Sequence, residues 1–183
     1  MDHYIDIRLF PDAELSASIL MNALYAKFHK ALCDLNSTHI GVSFPKYEIT
    51  LGCILRLHGS ENDLAKLQQQ NWIGGMSGYC QISAIQPVPD VVQYRTVSRK
   101  QSNMSHAKLD RLLKRESIAP EQTGQYKAKM FANGLDDPYI ELTSGSNGHK
   151  HRRYIAFGEL LDEPVAGQFD QFGLSKTATV PWF

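Results

Sequence analysis

The sequence predicts an α+β protein: an N-terminal ferredoxin-like domain over residues 1–88 and a C-terminal α/β domain over 89–183 with a basic helix and a β-hairpin. Three observations carry this. Residues 3–85 switch between strand-like and helix-like hydrophobic periods in the order β-α-β-β-α-β, the split βαβ pattern. Gln86-Pro87-Val88-Pro89-Asp90 is extended and proline-rich, a natural boundary. Beyond it the charge changes character. Arg95, Arg99, Lys100, Lys108, Arg111, Lys114, Arg115, Lys127 and Lys129 face only Asp110, Glu116 and Glu121 between them.

Taken in order, His3 to Phe10 alternates Tyr4, Asp6, Arg8 and Phe10 against Ile5, Ile7 and Leu9, the mark of a half-buried strand. Pro11-Asp12 ends it. Residues 13–35 read as a helix with Leu20, Leu24, Phe28, Ala31 and Leu35 on one stripe. Strands follow at His39–Phe44, stopped by Pro45, and at Leu51–His58. Gly59-Ser60 opens a serine-capped helix to about Gln70, and Tyr79–Ile85 is the fourth strand. In the second half, Tyr94–Ser98 reads as a short strand and Ser102-Asn103 caps a helix to about Glu116. On it Leu109, Leu112 and Leu113 face one way, while Lys108, Arg111 and Arg115 form another face beside Lys114. A further helix spans about 120–132 and ends at Asn133-Gly134. Pro138–Thr143 and Arg152–Phe157 form a hairpin. The apolar tail Val180-Pro181-Trp182-Phe183 docks on the core, because its rings bury much area.

A chain of 183 residues with 43% apolar content can build a real core. No apolar run is long enough to span a bilayer, and the first residues lack the basic and apolar regions of a secretory signal, so a cytoplasmic protein is expected. Cys33, Cys53 and Cys80 form no CxxC pair, which argues against both a disulfide framework and a zinc site. The net charge is zero, yet the clustering of cations after Arg95 points to a localised basic surface.

No phosphate-binding loop, nucleophile elbow, HExxH or dinucleotide fingerprint is present. His149 and His151 lack a third metal ligand nearby, so no metal is expected. His29 sits at the edge of the apolar stripe beside Asn22 and Tyr25. A half-buried imidazole suits proton transfer; equally, it suits a boundary histidine that packs and bonds locally. The basic helix is either a solvated face or a nucleic-acid contact. Arg99-Lys100-Gln101 favours the latter, because Arg and Gln read base edges bidentately. A-form RNA admits side chains to its major groove only near helix ends and loops, so the partner would be a short hairpin. Ser144-Gly145-Ser146-Asn147-Gly148 is a glycine-broken loop whose hydroxyls and N–H groups suit a ribose or phosphate, or else a solvated hairpin tip.

Several runs, in register from end to end, resemble one family. They are Met1-Asp2-His3-Tyr4-Ile5-Asp6-Ile7-Arg8-Leu9, Lys27-Phe28-His29-Lys30-Ala31-Leu32, Ile40-Gly41-Val42-Ser43-Phe44-Pro45, Tyr94-Arg95-Thr96-Val97-Ser98-Arg99-Lys100-Gln101, Ser144–Gly148, Gly173-Leu174-Ser175-Lys176 and Val180-Pro181-Trp182-Phe183. Together they resemble the CRISPR repeat-processing endoribonuclease of type I-F (Csy) systems. The resemblance implies an enzyme without cofactor or metal that binds the repeat hairpin of CRISPR precursor RNA and cuts at the 3′ base of its stem. The ribose 2′-OH attacks, leaving a 2′,3′-cyclic phosphate. The mature guide RNA stays bound, and other subunits of a surveillance complex join it. By the same resemblance His29 moves a proton, Ser144 holds the ribose and Ser146 contacts RNA nearby. Arg99 and Gln101 read bases. The helix of Lys108, Arg111, Lys114 and Arg115 lies in the major groove. His151 stacks under the terminal base pair, and Arg152 and Arg153 clamp the backbone.

Two departures from the family bear on this. A tyrosine near the C-terminus of its best-known members lies beside the catalytic histidine; here that position is Phe172, so a hydroxyl that would orient His29 is missing. The other reading this allows is a hairpin-binding subunit with slow or lost cleavage. The groove helix also uses Lys where relatives use Arg, a point charge in place of a bidentate fork. Binding should therefore be weaker or more salt-sensitive than in arginine-richer relatives, which a series of hairpin affinities against salt tests through a slope reflecting several released counterions. A slope near zero would remove the groove-helix assignment.

Overall fold

Strand β1 (His3–Leu9) is the spine of the larger sheet. Ile5, Ile7 and Leu9 are buried and the intervening side chains are not, as period-two alternation requires with one apolar face. The computed structural model describes residues 1–101, 106–132, 137–143 and 148–183. After β1 come α1 (Ala17–Leu35), β2 (Gly41–Ser43), β3 (Ile54–Gly59), α2 (Glu61–Gln69), β4 (Cys80–Ile82) and β5 (Gln86–Pro87). The sheet order is β2-β3-β1-β4, every pairing antiparallel, and β5 pairs with the start of β1. Both helices contact the apolar strands. The core joins Leu20, Leu24, Phe28 and Leu32 of α1, Leu64 and Leu67 of α2, and Leu55 and Leu57 of β3. Each such side chain contributes about 1.5–3 kcal/mol on leaving water.

Helix α1 starts four residues later than the expected residue 13. Asp12 Oδ1 accepts from the N–H groups of Glu14 (2.9 Å) and Leu15 (2.7 Å), and Ser16 Oγ accepts from Ile19. These side chains satisfy the backbone in a turn, so the helix begins only after Ser16. Its other end closes at Asn36 in the left-handed region, with Ser37 N–H bonded to Leu32 O. The proline-rich stretch at 86–90 is not a free linker at its start, since Gln86 and Pro87 lie opposite Tyr4 and His3.

The remaining strands are β6 (Gln93–Arg95), β7 (Val97–Lys100), β8 (Tyr139–Thr143), β9 (Lys150–Phe157) and β10 (Val180–Trp182). β6 pairs with β10, so the apolar tail is docked by backbone bonds as well as by its rings. β7, β9 and β8 form a three-stranded sheet. Met1–Arg99 and Asp137–Phe183 make one compact unit, and Lys100–Asp136 makes a second. The second holds α3, described from His106 to Lys114, and α4 (Thr123–Ala132). Helix α3 buries Leu109 and exposes Lys108, Arg111 and Lys114, and Arg115 is exposed just after it. It closes at Glu116 (φ 51°), where Glu116 N–H bonds Leu113 O and Ser117 N–H bonds Leu112 O. The expected helix cap at Ser102-Asn103 and stop at Asn133-Gly134 lie outside the described residues. Among the described residues no helix is long and apolar enough to cross a membrane.

Strand β3 is buried on both faces, which forces two polar groups into the interior. Arg56 grips Asp6 with two bonds (2.6 and 2.9 Å), donates to the Phe183 carbonyl (2.7 Å) and lies 3.9 Å from the Phe183 ring centroid. It is thus fully engaged, as a buried guanidinium must be. His58 is fully buried, with Nε2 2.7 Å from Ser43 Oγ and no hydrogen-bond partner for Nδ1 among the described residues. Burial, reinforced by the nearby Arg56 charge, holds its pKa well below the ordinary imidazole value.

The sign of the resulting pH dependence is fixed. Above about pH 6.5 the ring is neutral in both folded and unfolded chains. Below that value the unfolded chain takes up a proton that the folded chain refuses, so stability falls as pH drops, by at most about 1.4 kcal/mol per pH unit from this group. Denaturation midpoints measured between about pH 7.5 and 5 should decline, and His58→Gln should flatten part of that decline. An unchanged pH profile in the variant would contradict the assignment.

Candidate active site around His29

Helix α1 sets Tyr25, His29 and Cys33 one turn apart on one face, since residues at i and i+4 stack along a helix. Tyr25 is fully buried and His29 half-buried. The imidazole meets the turn before Gly173. Its Nδ1 lies 2.7 Å from the Gln171 main-chain carbonyl oxygen. A carbonyl can only accept, so Nδ1 carries a proton, and in the neutral form of the ring the lone pair is at Nε2. The thiol of Cys33, 3.7 Å from Nδ1, donates to the Gln171 side-chain oxygen at 3.4 Å.

The Phe172 ring lies against the imidazole, with centroids 3.6 Å apart and planes within 11°. The Arg153 guanidinium carbon lies 3.5 Å from the same phenyl centroid. Two groups cannot share one ring face at these distances, so the three form a stack of imidazole, phenyl and guanidinium. Arg153 is only 7% exposed, and its Nε has no hydrogen-bond partner among the described residues. Burial pulls its pKa down, and the positive charge of Arg99 pulls in the same direction. The ring's negative face offsets part of that cost.

The expected site residues therefore separate. His29, Phe172 and Arg153 are brought together. Arg153 belongs to β9, where Ile155 is buried on the same face, and it points into the stack rather than to solvent. Arg152 points the other way, with Nε 3.7 Å from Glu141 and its guanidinium 4.4 Å from the Tyr139 ring centroid. His151 is exposed on β9 opposite Leu142. Arg99 on β7 and Gln101 after it are exposed. Lys108, Arg111 and Lys114 on α3, and Arg115 just after it, are exposed in the second compact unit. Ser144 and Ser146 lie outside the described residues; Thr143 and Lys150 on either side of them are paired. Among the described residues no group of three or more His, Cys, Asp or Glu is placed to hold a metal ion.

Sequence reasoning placed Tyr25 beside His29 but missed Cys33, Asp170 and Gln171. Spacing of four along α1 would have flagged Cys33 as a neighbour of His29 as well. Period-two alternation with Ile155 would have turned Arg153 inward. The Gln171 carbonyl left no signal, because every residue type carries one.

Comparison with known proteins gives the following. A family model described as CRISPR-associated protein (Cas_Csy4) matches residues 4–183. The chain is 41% identical over 184 residues to the CRISPR-associated endonuclease Cas6/Csy4 of Escherichia coli (strain UTI89 / UPEC), with 100% of both chains covered. It is 38% identical over 187 residues to the CRISPR-associated endonuclease Cas6/Csy4 of Pseudomonas aeruginosa (strain UCBPP-PA14), again over 100% of both. A solved structure of CRISPR endoribonuclease Cse3 bound to a 19 nt RNA aligns over 99% of this chain and 100% of its own, at 12% identity and a TM-score of 0.39.

Because Phe172 is the shared face of the stack, Phe172→Ala removes both ring contacts at once. It should destabilise the protein by about 1–3 kcal/mol, less than a fully buried phenylalanine would cost. Denaturant titration gives the value. A change within about 0.5 kcal/mol would mean the stack contributes nothing to folding.

Proposed function

The chain belongs to the Csy4 family of CRISPR-associated proteins, and from that premise we propose that it is a metal-independent endoribonuclease for the hairpin of CRISPR repeat RNA. The observation that carries this reading is the His29 imidazole, tied at Nδ1 and presenting its lone pair at Nε2, in a chain whose full-length relatives are named as endonucleases. Residues 1–88 carry the histidine; their strand order β2-β3-β1-β4 supports a ferredoxin-like reading. Residues 89–183 recognise the hairpin. Arg99 and Gln101 read bases, and Lys108, Arg111, Lys114 and Arg115 meet major-groove phosphates. His151 stacks under the terminal pair, Arg152 neutralises backbone, and Ser146 contacts the strand near the cut.

The chemistry balances without a bound ion. Ser144 holds the ribose so that its 2′-oxygen lies in line with the scissile phosphorus, and this positioning removes several kcal/mol from the barrier. His29 Nε2 takes the 2′-OH proton as the O2′–P bond forms. The P–O5′ bond breaks, leaving a 2′,3′-cyclic phosphate on one product. The departing 5′-oxygen takes a proton from solvent, and the imidazolium returns its own. Arg153 supports the reaction through the stack, since its Nε is buried and Phe172 lies between it and the imidazole. The product stays bound in the cytoplasm as part of a larger complex with other subunits.

One observation favours a second reading: Phe172 has no hydroxyl to offer the histidine, as expected of a hairpin-binding subunit that cuts slowly or not at all. Incubating the protein with its cognate repeat RNA in EDTA separates the two. Cleavage that is lost with a 2′-deoxy substitution at the scissile nucleotide supports the enzyme; tight binding with no cut supports the binding subunit. His29→Ala should slow cleavage by about 10²–10⁴-fold, and a normal rate in that variant would remove His29 as the catalyst.

A further inference from the structure

The hydrogen bond that fixes His29 comes from a main-chain carbonyl, so whatever holds that peptide in place holds the tautomer. Asp170 does so directly, and Tyr25 does so through the next peptide. Asp170 Oδ1 accepts from the N–H groups of both Phe172 (2.8 Å) and Leu174 (3.0 Å). Its main chain closes the same turn, with Gly173 N–H bonded to Asp170 O (2.9 Å) and Asp170 N–H bonded to Leu174 O (2.8 Å). From beneath, the buried Tyr25 hydroxyl donates to the Phe172 carbonyl at 2.6 Å. Tyr25 lies one helical turn before His29, so a single rigid helix carries both the imidazole and the post that supports its partner. The turn has little freedom to move. Gly173 has φ +69°, and a Cβ there would lie 2.8 Å from Val42 Cγ1; its carbonyl accepts from Val42 N–H at 3.0 Å.

We infer that Asp170 and Tyr25 are positioning residues for His29: Asp170 holds the Gln171-Phe172 peptide through its N–H and Tyr25 holds the adjoining Phe172-Gly173 peptide through its carbonyl, so that with Phe172 clamped on both sides the Gln171 carbonyl locks the imidazole with Nε2 unprotonated and the phenyl ring fixes the imidazole plane. Left to itself a neutral imidazole prefers the opposite tautomer, with the proton on Nε2, where it could not take a proton from a 2′-OH. The clamp thus does through the main chain what an orienting hydroxyl would do through a side chain. The inference rests on the reading of His29 as proton acceptor only for its catalytic consequence; the tautomer itself is observable without RNA.

Long-range ¹H–¹⁵N correlation of the full-length protein with labelled histidine, at a pH where the ring is neutral, tests it. In the parent protein the unprotonated nitrogen of His29 should be the one coupled to both ring protons, Nε2. Asp170→Ala should shift the signal toward the Nε2–H form, and Asp170→Asn, which keeps an Oδ1 acceptor, should restore it. Tyr25→Phe keeps the buried ring, loses only the donor, and should shift it in the same direction; it carries the test alone if Asp170→Ala does not fold. In single-turnover cleavage the shifted variants should be slower by roughly tenfold to a hundredfold, with hairpin affinity changed by less than roughly twofold. An Nε2–H tautomer in the parent, or parent-like spectra in the variants, would overturn the inference. A shifted tautomer with an unchanged rate would leave the clamp standing and overturn instead the assignment of His29 as catalyst.

Discussion

The hydrogen bond from His29 Nδ1 to the Gln171 carbonyl joins groups 142 residues apart, and much of the fold can be understood as what makes that short contact possible. Helix α1 must be fixed along its length, which its buried stripe and its anchored ends achieve. The 170–174 turn must be seated against the first sheet, which the bond and close approach between Val42 and Gly173 achieve. Beyond the site, β8 is tied to α1 by the bond from Glu141 N–H to Asn22 Oδ1 at 2.9 Å, so that strand is held against the helix that carries the histidine. The histidine and β8 are thereby referenced to one helix.

Most secondary structure was legible because its signals are local. Ser60 capping α2, the stripe on α1 and the alternation in β1 all act within a few residues. Boundaries were less legible where side chains compete with the backbone, as Asp12 and Ser16 do before α1. The site divides along the same line. His29 could be found because an imidazole at the margin of an apolar stripe is unusual. Of its partners, Phe172 was named only through the family resemblance, since periodicity cannot bring residue 172 to residue 29, and the Gln171 carbonyl left no signal at all. Arg153 is an intermediate case. Composition makes it one more cation beside Arg152, and only strand alternation separates the inward from the outward arginine.

The cations show how little net charge says about a surface. The chain is neutral overall, yet its arginines serve opposite ends. Arg56 and Arg95 are structural: the first is spent on Asp6 and Phe183, the second donates twice to the Gly158 carbonyl (3.0 and 2.6 Å) and lies 4.7 Å from the Trp182 ring centroid. The basic side of α3 is exposed to solvent in a unit of its own. Counting basic residues would merge these classes; burial separates them, because a guanidinium removed from water must be matched by carbonyls, carboxylates or ring faces.

Replacing an orienting hydroxyl by a phenyl ring looks at first like a loss, but the physical requirements on a proton acceptor are only two. Its lone pair must be on the nitrogen that faces the substrate, and the ring must not rotate away. A main-chain acceptor meets the first at Nδ1, and it cannot be removed by substitution of the residue that carries it. A ring stacked at 3.6 Å with planes within 11° meets the second, and the Arg153 guanidinium on its far face keeps that ring in place. A tyrosine hydroxyl would add one more directional contact to a group whose tautomer and plane are already set. The phenylalanine at position 172 is therefore compatible with proton transfer by His29, because the orientation resides in the peptide and in the face of the ring rather than in a substituent at its edge.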